Sequence, residues 1–388
     1  MNILFLEAVQ VHGGARKSTV ELAERLKNQN HNVHIVDFWG NCVEFIDDVR
    51  QRNLNLEILL QRDHPIIINS SRNPLIIFKN IINFFVQQRH MQKALAKYID
   101  TNRIELIIVN NSKTLSILKK STSYKIVYFA RGWFNLNSIP RLKRYIFKTK
   151  AEYFIGVSES TRQAIFSGGF SRGENIYVVP NAIDVEKIEY YKTNNPVSQS
   201  ETLKILHCGG YLLEKGQLLT IDLAKKLKAS GIDFEITIVG AIYDHIDSKN
   251  FYNKIKKLVA ENGLGNNVKL ETNSKDPYKY FNETDIVIHP SYTEGLPRVV
   301  MEALAFKKPV IANAVGGVTD FILHNFTGFL SDFNSVDDYF NAVMLLYRDH
   351  NEYDKIVQSG YQLILANYTP KIQVNRFEGV LEKVLAHE

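Results

Sequence analysis

Short apolar runs alternate with amphipathic helical patterns along both halves of the chain, and this alternation restricts the fold more than any other feature of the sequence. The first half opens with an apolar run at 2–6, a helical pattern at 19–29 and a second apolar run at 31–38. The second half begins the same rhythm again at 203–210. Strands that are separated by helices pair in parallel, because each connection returns the chain to the same end of the sheet. The sequence therefore predicts an α/β fold with two doubly wound parallel sheets, each covered by helices on both faces.

Chain length and one polar segment predict where the domains end. A chain of 388 residues exceeds one ordinary domain, so two domains are expected. Residues 185–202 are polar and contain Pro196, which is typical of a linker. We therefore expect a first domain at 1–184, a linker at 185–202, a second domain at 203–369 and a final helical segment at 370–388.

Composition and charge exclude several classes of protein. Hydrophobic residues make up 45% of the chain and charged residues 23%, which is typical of a globular protein with a sizeable core. Cys42 and Cys208 are far apart and lack metal-like spacing, so we expect reduced thiols and a cytoplasmic location. Met1 leads directly into the first apolar run, and no apolar run reaches the ~18–20 residues that span a bilayer, so neither a secretory signal nor a transmembrane helix is expected. The net charge of +6 is modest and no recognised module is present, so no nucleic-acid partner is expected.

Loops at the carboxyl edges of the two predicted sheets are the expected ligand-binding positions, because ligands of doubly wound sheets bind outside the carboxyl ends of the strands. Five loops follow strands there, and they contain Gly13-Gly14, Arg131-Gly132, Lys215-Gly216, Glu294 and Gly316-Gly317. Gly13-Gly14 is not part of a G-x-G-x-x-G fingerprint, so a dinucleotide cofactor is not indicated. The glycine pair fits equally a tight turn and a close approach of backbone to a ligand phosphate or sugar.

The segment 286–305 predicts a strand, a polar loop and a helix, with two carboxylates around the helix start. Pro297 suits the first helical turn, where its missing N–H is not needed. Glu294 lies in the loop, and Glu302 lies inside the helix, roughly 7–8 Å down its axis from Pro297. A diphosphate bound to the free N–H groups of 295–298 would place an attached ribose near Glu302 and its other substituent near Glu294. The segment therefore suits a nucleotide-sugar site, although an ordinary α/β unit has the same pattern.

Two basic segments of the first half contain interleaved apolar residues. Residues 141–150 carry Arg and Lys among Tyr145, Ile146 and Phe147, and residues 74–98 mix Ile and Phe with Lys, Arg and His at helical spacing. Such patterns are typical of a solvated helix face, and they also suit a helix that lies on an anionic membrane surface. Both interpretations stay open at this point.

Eight motifs occur in an order and spacing that together form a specific pattern. They are HGGA at 12–15, GVSES at 156–160, VVPNAID at 178–184, the strand and Lys-Gly segment at 203–216, IVG at 238–240, PSYTEGLPRVVMEALA at 290–305, KPVIANAVGG at 308–317 and TGFL at 327–330. The sixth motif contains E-x7-E at Glu294 and Glu302, a spacing that alone would be a weak signal. Over nearly the whole chain the set resembles the family 4 glycosyltransferases (glycosyl transferases group 1), which are retaining enzymes of the GT-B architecture.

The resemblance implies two Rossmann-like domains with a donor cleft between them, and a helix at 370–388 that crosses back to the first domain. It assigns Glu302 to the ribose hydroxyls of the donor. It assigns Glu294, with the amides of Gly295 and Leu296, to the donor sugar and phosphate. Glu302 suits hydroxyls rather than phosphates, because two anions in contact repel each other.

The resemblance also implies the remaining site residues. Lys215 matches the family's phosphate-binding lysine, and Gly14 would lie against the diphosphate. A lysine and helix-end amides stabilise a departing diphosphate without a metal, so no metal or other cofactor is expected. The residues expected to bind the donor are Gly13, Gly14, Lys215, Gly240, Glu294, Gly295, Leu296, Pro297, Arg298 and Glu302, and those expected to act in catalysis are Glu294, Lys215 and Arg131.

Two positions depart from the family pattern. Gly210 stands where the family usually has an arginine that accompanies the lysine, so either Arg298 or Arg131 supplies the missing charge or donor phosphate binding is weaker. Arg131 stands where the family commonly has a histidine that contacts the donor sugar. Because arginine cannot accept a proton at neutral pH, its expected role is binding or charge stabilisation.

Two histidines are weaker candidates. His289 precedes Pro290 at a predicted strand end, where a structural hydrogen bond is the favoured role. His12 borders the glycine pair, and it fits the acceptor side of the site and an ordinary loop equally well.

The sequence thus predicts a retaining glycosyltransferase that moves a sugar from a UDP- or GDP-type nucleotide-sugar donor to a hydroxyl of a glycan or lipid-linked acceptor. The resemblance implies bacterial surface polysaccharide assembly, lipopolysaccharide or capsule, and a lipid-linked acceptor would require peripheral contact of the N-terminal domain with the inner face of the membrane. One alternative is a sugar-nucleotide 2-epimerase of the same architecture, which would use carboxylates as acid and base. A second is a non-catalytic nucleotide-sugar-binding protein, which Gly210 and Arg131 motivate.

Overall fold

Two compact units make up the computed structural model, which describes residues 1–61, 74–132, 139–197, 201–274 and 276–386. Unit 1 consists of Met1–Val157, Thr161–Val179 and Val374–Glu388. Unit 2 consists of Ser158–Ser160 and Pro180–Gln373. Each unit therefore draws on more than one stretch of the chain.

Unit 1 is built on a parallel sheet that has seven strands within the described ranges. They are β1 (Asn2–Glu7), β2 (Asn32–Asp37), β3 (Asn55–Ile58), β4 (Leu106–Val109), β5 (Lys125–Ala130), β6 (Tyr153–Gly156) and β7 (Ile176–Val178), in the spatial order β3-β2-β1-β4-β5-β6-β7. In the centre, Leu6 of β1 lies opposite Val36 of β2 and Val109 of β4. These central strands are almost wholly buried, because helices cover both faces of a doubly wound sheet.

Helices cover the sheet of unit 1, and their apolar faces are buried against it. The first six helices of the chain are α1 (Gly14–Asn28), α2 (Val43–Gln51), α3 (Pro74–Thr101), α4 (Ser112–Ile117), α5 (Arg141–Lys150) and α6 (Glu159–Ser167). Leu22 and Leu26 of α1 are fully buried. Because they are four residues apart, both side chains lie on the same face of α1.

Unit 2 is built on a second parallel sheet, with six strands among the residues that the structure describes. They are β8 (Leu203–Cys208), β9 (Phe234–Gly240), β10 (Val268–Thr272), β11 (Ile286–His289), β12 (Val310–Asn313) and β13 (Phe329–Ser331), in the spatial order β10-β9-β8-β11-β12-β13. The chain order reverses direction between β8 and β11, so the carboxyl ends of these two strands flank a switch point. Ligands of open parallel sheets bind at such a crevice.

The remaining helices are α7 (Val185–Asn194), α8 (Gln217–Ala229), α9 (Ile246–Glu261), α10 (Pro277–Glu283), α11 (Arg298–Ala305), α12 (Val336–Arg348), α13 (His350–Asn367) and α14 (Pro370–Ala386). The α14 residues from Val374 onward belong to unit 1. There Phe377 and Val384 are fully buried, and Glu378 accepts a 2.7 Å contact from the His31 ring.

Each unit has its own hydrophobic core. Leu4, Phe38 and Phe154 are buried in the core of unit 1, and Ile236 and Ile288 are buried in that of unit 2. Removing a side chain of this size from water contributes about 1.5–3 kcal/mol to the free energy of unfolding. Two parallel sheets with separate cores confirm the predicted fold class.

Part of the predicted linker is helical. Residues 185–194 of the predicted segment 185–202 form helix α7. Asp184 caps this helix by accepting a 3.0 Å hydrogen bond from the Lys187 N–H, and Ile188 is buried beneath it. A side-chain cap and buried apolar residues outweigh polar composition. Residues 198–200 of the predicted linker and 387–388 of the predicted final helical segment lie outside the described residues.

Two further boundaries differ from the sequence expectation. Helix α1 begins at Gly14, five residues before the predicted helical pattern at 19–29, so Gly13 occupies its N-cap position. The short edge strand β3 was not predicted, because only its alternate residues are half-buried and its apolar content is low.

Candidate functional site

The loop between β11 and α11 is fixed by side chains from neighbouring elements of unit 2. The Asn313 side-chain amide at the end of β12 donates to the carbonyls of Pro290 and Ser291, at 3.0 and 3.1 Å. The Tyr339 hydroxyl donates to Asn313 Oδ1 at 3.1 Å. Asn313, Tyr339, Pro290 and Ser291 are buried, so these hydrogen bonds satisfy donors and acceptors that water does not reach. The sequence analysis missed Asn313, whose signal is a polar residue at the end of an apolar strand.

Gly316 holds the backbone of Glu294 in place. Gly316 has a φ of +50°, and a Cβ atom there would lie 1.9 Å from the Glu294 carbonyl oxygen. The next residue, Gly317, donates its N–H to the Gly295 carbonyl at 2.9 Å. Only glycine allows both the left-handed backbone and this close approach. Two of the predicted edge loops are therefore in direct contact.

The Glu294 carboxylate lies between two nitrogen donors. Its Oε1 atom is 2.8 Å from Lys215 Nζ and 3.1 Å from His289 Nε2. A backbone hydrogen bond of 2.8 Å from the Tyr292 N–H to the Glu214 carbonyl joins the two loops. The structure thus brings together Lys215 and Glu294, both predicted for the site, and gives His289 the hydrogen-bonding role that the sequence favoured.

The charge state of Glu294 follows from these neighbours. Burial acts to raise the pKa of the carboxyl, but the hydrogen bond and charge of His289 and those of Lys215 outweigh burial and lower the pKa to about 2. Behind this group, burial together with the charges of His289 and Lys215 lowers the pKa of His207 to about 3. At neutral pH, therefore, Glu294 is ionised and His207 is neutral.

The start of helix α11 presents backbone N–H groups without a side-chain cap. Pro297 is the N-cap residue, not part of the first helical turn as predicted, and its side chain makes no capping hydrogen bond. The buried Asn181 side chain, from the VVPNAID motif, donates to the Leu296 carbonyl at 3.0 Å and fixes the approach to the helix. Of residues 295–298, Gly295, Leu296 and Arg298 carry an N–H, because proline has none. An uncapped helix start of this kind suits an anion.

Glu302 lies on the fifth residue of α11, as predicted, and is 8% exposed. The Arg298 guanidinium lies 3.6 Å from its Oε1 atom, one helical turn away. The sequence analysis proposed Arg298 as a substitute cation for the donor phosphate, whereas the structure directs this guanidinium toward a carboxylate. Arg298 therefore pairs with Glu302 across one helical turn, and its role toward the donor phosphate stays a prediction.

Gly240 and Gly210 are explained by packing. A Cβ atom on Gly240, at the end of β9, would lie 2.0 Å from the Gly209 carbonyl oxygen. A Cβ atom on Gly210 would lie 2.7 Å from the Tyr243 ring, so the phenol fills the space that a side chain at 210 would need. The Tyr243 N–H donates to Ser248 Oγ at 3.0 Å, which fixes the backbone under the ring. Tyr243 is the physical reason for glycine at 210, and no pattern in the sequence pointed to it.

In unit 1 the predicted glycines lie at the start of helix α1. Gly13 is the N-cap residue and Gly14 is the first helical residue. Gly13 has an ordinary φ of −99°, and a Cβ atom there would meet no described atom within 4 Å. Neither turn geometry nor crowding therefore requires glycine at 13, so the tight-turn interpretation loses its support. Space for a ligand phosphate or sugar is the interpretation that stays open.

A buried carboxylate that the sequence analysis missed lies at the end of β1. Glu7 is 1% exposed, the Asn110 side-chain amide donates to its Oε1 atom, and Arg16 Nε lies 3.2 Å from its Oε2 atom. Burial raises the pKa of Glu7 despite the nearby charges of Arg16 and Arg131. Carboxyls with shifted pKa values are common at functional sites. The available signal was a glutamate that ends an otherwise apolar strand.

Arg131 and His12 take defined positions in unit 1. The Arg131 guanidinium lies over the Phe129 ring, 3.8 Å from its centroid. His12 Nε2 pairs with Asp48 Oδ2 at 3.0 Å, which favours the structural interpretation of this histidine. The predicted residues thus fall into two groups: Gly13, Gly14 and Arg131 in unit 1, and Lys215, Gly240, Glu294, Gly295, Leu296, Pro297, Arg298 and Glu302 in unit 2.

Neither a metal centre nor a membrane-spanning helix is found in the part of the chain that the structure describes. Outside the undescribed ranges, no group of three or more His, Cys, Asp or Glu side chains is arranged to hold a metal ion. Among the described helices, none combines the length and the apolar character needed to cross a membrane. The expectation that no metal is required stays a prediction.

Two family models match the chain, one to each half. The model described as Glycosyltransferase Family 4 matches residues 12–187, and the model described as Glycosyl transferases group 1 matches residues 192–363. The chain is 22% identical over 383 residues to an uncharacterized glycosyltransferase of Haemophilus influenzae, covering 97% of this chain and 98% of the relative. It is 21% identical to the capsular polysaccharide biosynthesis glycosyltransferase CapM of Staphylococcus aureus, covering 93% and 92% of the two chains.

A solved structure shares the fold over almost the whole chain. Anabaena Alr3699/HepE in complex with UDP-glucose superposes with a TM-score of 0.75 at 18% identity, covering 98% of this chain and 99% of that one. This similarity supports the two-sheet architecture, and the two family models account for most of the sequence.

Proposed function

Because the chain belongs to the group 1 and family 4 glycosyltransferases, enzymes of the GT-B architecture, we propose that it transfers a sugar from a nucleoside-diphosphate sugar to a hydroxyl of a glycan or lipid-linked acceptor, with retention of configuration. The observation that carries this proposal is the contact between Lys215 and Glu294 beside the uncapped start of α11. A cation and free helix N–H groups at one strand end suit a diphosphate.

The proposed reaction breaks the bond between the anomeric carbon and the β-phosphate oxygen, and the electron pair stays on that oxygen. The acceptor hydroxyl forms the new bond on the same face, and its proton passes to the departing diphosphate. Lys215 and the N–H groups at the start of α11 stabilise the negative charge of the leaving group. Glu302 holds the ribose hydroxyls, and Glu294 orients the sugar. Under this mechanism no side chain forms a covalent intermediate.

The relatives suggest which substrates to test first. CapM acts in capsular polysaccharide biosynthesis, and a second relative is a lipopolysaccharide 1,2-N-acetylglucosaminetransferase of Salmonella typhimurium, 27% identical over 215 residues. Alr3699/HepE binds UDP-glucose. We therefore propose a role in bacterial surface polysaccharide assembly and a UDP-sugar as the first donor to test, with GDP-sugars second.

Unit 1 also supports a proposal of peripheral membrane contact. Phe78, Ile82 and Val86 are exposed on one face of α3, and exposed Arg89 and Lys93 continue that face. Helix α5 adds Leu142 and Tyr145, which are 70% and 66% exposed, beside Arg141, Lys143 and Lys148. Apolar residues interleaved with basic ones suit the headgroup region of an anionic membrane, where a lipid-linked acceptor would lie.

Donor binding and transfer test the proposed function together. In a thermal-shift screen of UDP-, GDP-, ADP- and TDP-sugars, we expect the sugars of one nucleotide base to raise the melting temperature of the protein. A ligand at 100 times its Kd adds about 2.7 kcal/mol to the free energy of unfolding.

Two substitutions test the assigned site residues. We expect Glu302→Ala to weaken donor binding at least tenfold, because it removes the partner of the ribose hydroxyls. We expect Lys215→Ala mainly to lower kcat, by about 100-fold, because the charge of the leaving group develops in the transition state.

The controls are a lysine and a glutamate outside the site. Lys225→Ala on α8 and Glu261→Ala on α9 remove partly exposed charges and should leave binding and turnover unchanged. Wild-type transfer rates in both site variants would exclude the assignment. An epimeric sugar formed from donor alone would indicate the 2-epimerase, and tight donor binding without hydrolysis or transfer would indicate a non-catalytic binding protein.

A further inference from the structure

We propose that Lys215 is an exchangeable partner of Glu294 and that His289 is its permanent partner: donor binding moves Lys215 from the carboxylate to the diphosphate, while His289 alone keeps Glu294 in position. The proposal rests on the proposed function, and it assigns His289 as a positioning residue for the reaction.

Both donors contact the same carboxylate oxygen, but only one of them can be reached by a ligand. Lys215 Nζ and His289 Nε2 lie 2.8 and 3.1 Å from Glu294 Oε1. The Lys215 side chain is 26% exposed, whereas the His289 side chain is 3% exposed. An anion that arrives from solvent therefore meets Lys215 and cannot replace His289.

The two donors also differ in how freely they move. The Lys215 ammonium sits on a flexible four-carbon stem, so it can turn to a second anion at little cost. The His289 ring ends β11 and precedes Pro290, whose carbonyl is fixed by Asn313 at 3.0 Å. The ring is therefore held by the strand itself.

His289 donates from Nε2, because that atom faces the Glu294 carboxylate, while its Nδ1 is buried and has no hydrogen-bond partner among the described residues. The charged groups that face the ring are Lys215 and Glu294. His289 thus has no second partner among the described residues to which it could turn, whereas the flexible Lys215 can turn to a second anion.

Competition between two anions for one lysine follows from this arrangement. Without a donor, Glu294 holds Lys215; with a donor, the diphosphate holds it. Without a donor, Glu294 is ionised at neutral pH because its pKa lies at about 2, so its carboxylate competes with an incoming diphosphate for Lys215. The carboxylate thus opposes binding of the diphosphate, and its part in the proposed function is the later one of orienting the sugar.

Nucleotide binding to a set of variants tests the exchange. The probe is the nucleoside diphosphate, from UDP, GDP, ADP and TDP, whose sugar gives the largest thermal shift; it lacks the sugar that Glu294 would contact. By calorimetry we expect Glu294→Gln to bind this probe roughly tenfold more tightly than the wild type, because an uncharged amide releases Lys215. The gain should disappear in a Lys215→Met background. Unchanged or weaker binding by Glu294→Gln, or the same gain with Met at 215, overturns the exchange.

The positioning role of His289 needs a separate readout. We expect His289→Leu to lower kcat at least tenfold with less than a threefold change in KM for the donor, because the carboxylate loses its lasting hydrogen bond after Lys215 has moved. His289→Gln should recover most of the loss, since its amide N–H can occupy the place of Nε2–H. Equal turnover of the His289→Leu and His289→Gln variants, both with a normal melting temperature, contradicts the positioning role of His289.

Nucleotide binding separates failure of the exchange from failure of the proposed function. If no nucleotide binds the wild type, the proposed function fails. If nucleotides bind normally but Glu294→Gln and the His289 variants behave like the wild type, only the exchange is rejected.

Discussion

Glu294 is half-buried and Glu7 is buried, and the pKa values of the two carboxyls are shifted in opposite directions. Two nitrogen donors on Glu294 overcome burial and lower its pKa to about 2, whereas burial raises the pKa of Glu7 despite Arg16 and Asn110 beside it. The E-x7-E motif predicted that Glu294 belongs to the donor site. The motif could not predict the contact with Lys215, 79 residues away, because long-range contacts leave no trace in local patterns. Glu7 was missed for the same reason, since Asn110 lies 103 residues away.

The charge on Glu294 should make the wild type sensitive to acid. Its folded pKa of about 2 lies below the ordinary value of 4.5, so the stabilisation is present above about pH 4.5 and is lost as the pH falls through the folded pKa. A shift of this size corresponds to about 3 kcal/mol. We expect Glu294→Gln to lower the free energy of unfolding by about 3 kcal/mol at pH 7 and by much less at pH 3. Urea unfolding at pH 7, 4 and 3 measures the difference.

A matched control separates this effect from general surface chemistry. Glu261→Gln removes a carboxylate that is 54% exposed and pairs with Lys257 at 3.5 Å. It should change the free energy of unfolding by less than ~0.5 kcal/mol at every pH. A difference between wild type and Glu294→Gln that stays constant from pH 7 to pH 3 would show that the loss comes from packing and not from charge.

The elements around the site owe their positions to a few glycines and amides in loops. Asn313 and Asn181 bind loop carbonyls, and Gly316 allows the backbone of Glu294 to approach. Most parallel strands of the two sheets were predictable because their apolar runs are bounded by polar loops, whereas the short edge strand β3 was not. Helix α7 and the start of α1 were not, since Asp184 and Gly13 act as caps within segments whose composition is typical of loops.

The close approach at Gly316 should make this loop intolerant of a single methyl group. We expect Gly316→Ala to lower the free energy of unfolding by roughly 3 kcal/mol and to reduce transfer at least tenfold, because backbone atoms must separate by more than 1 Å around Glu294. Gly231→Ala is the matched control: Gly231 also has a positive φ, +76°, but a Cβ atom there meets nothing within 4 Å.

The comparison of the two alanine variants isolates crowding from backbone strain. Gly231→Ala should cost about 1 kcal/mol from its left-handed backbone alone and leave transfer unaffected. Chemical denaturation and an initial-rate assay give both values. Equal losses of stability and activity in the two variants would mean that crowding against Glu294 adds nothing to the strain of an alanine at positive φ.

At the scale of the whole molecule, the two units carry different surfaces. The candidate donor residues of unit 2 lie on loops at the carboxyl edge of its sheet, and the exposed apolar and basic residues of α3 and α5 lie on unit 1. A chain that takes its donor from water and its acceptor from a membrane needs this division. The sequence indicated it through the interleaved composition of 74–98 and 141–150, since amphipathic character is a local property.

Vesicle binding tests the surface on unit 1. We expect the full chain to co-sediment with vesicles that contain anionic lipid, less so in high salt, and only weakly with neutral vesicles. Phe78→Ser combined with Ile82→Ser should reduce binding about tenfold, because two apolar side chains no longer enter the lipid. Leu323→Ser on unit 2, which replaces a residue that is 48% exposed, is the control. Equal binding to neutral and anionic vesicles, or no effect of the double substitution, would contradict the proposed contact.

The ring of Tyr243 over Gly210 links the substitutions that positions 210 and 243 can accept. A side chain at 210 would start 2.7 Å from the phenol, so an arginine introduced there alone has no room while the tyrosine keeps its place. Loss of the tyrosine alone opens a gap beside a glycine. The two positions are therefore coupled: a side chain at 210 requires the Tyr243 ring to move away or to be replaced by a smaller group. Homologues that carry a large side chain at the first position should lack an aromatic ring at the second.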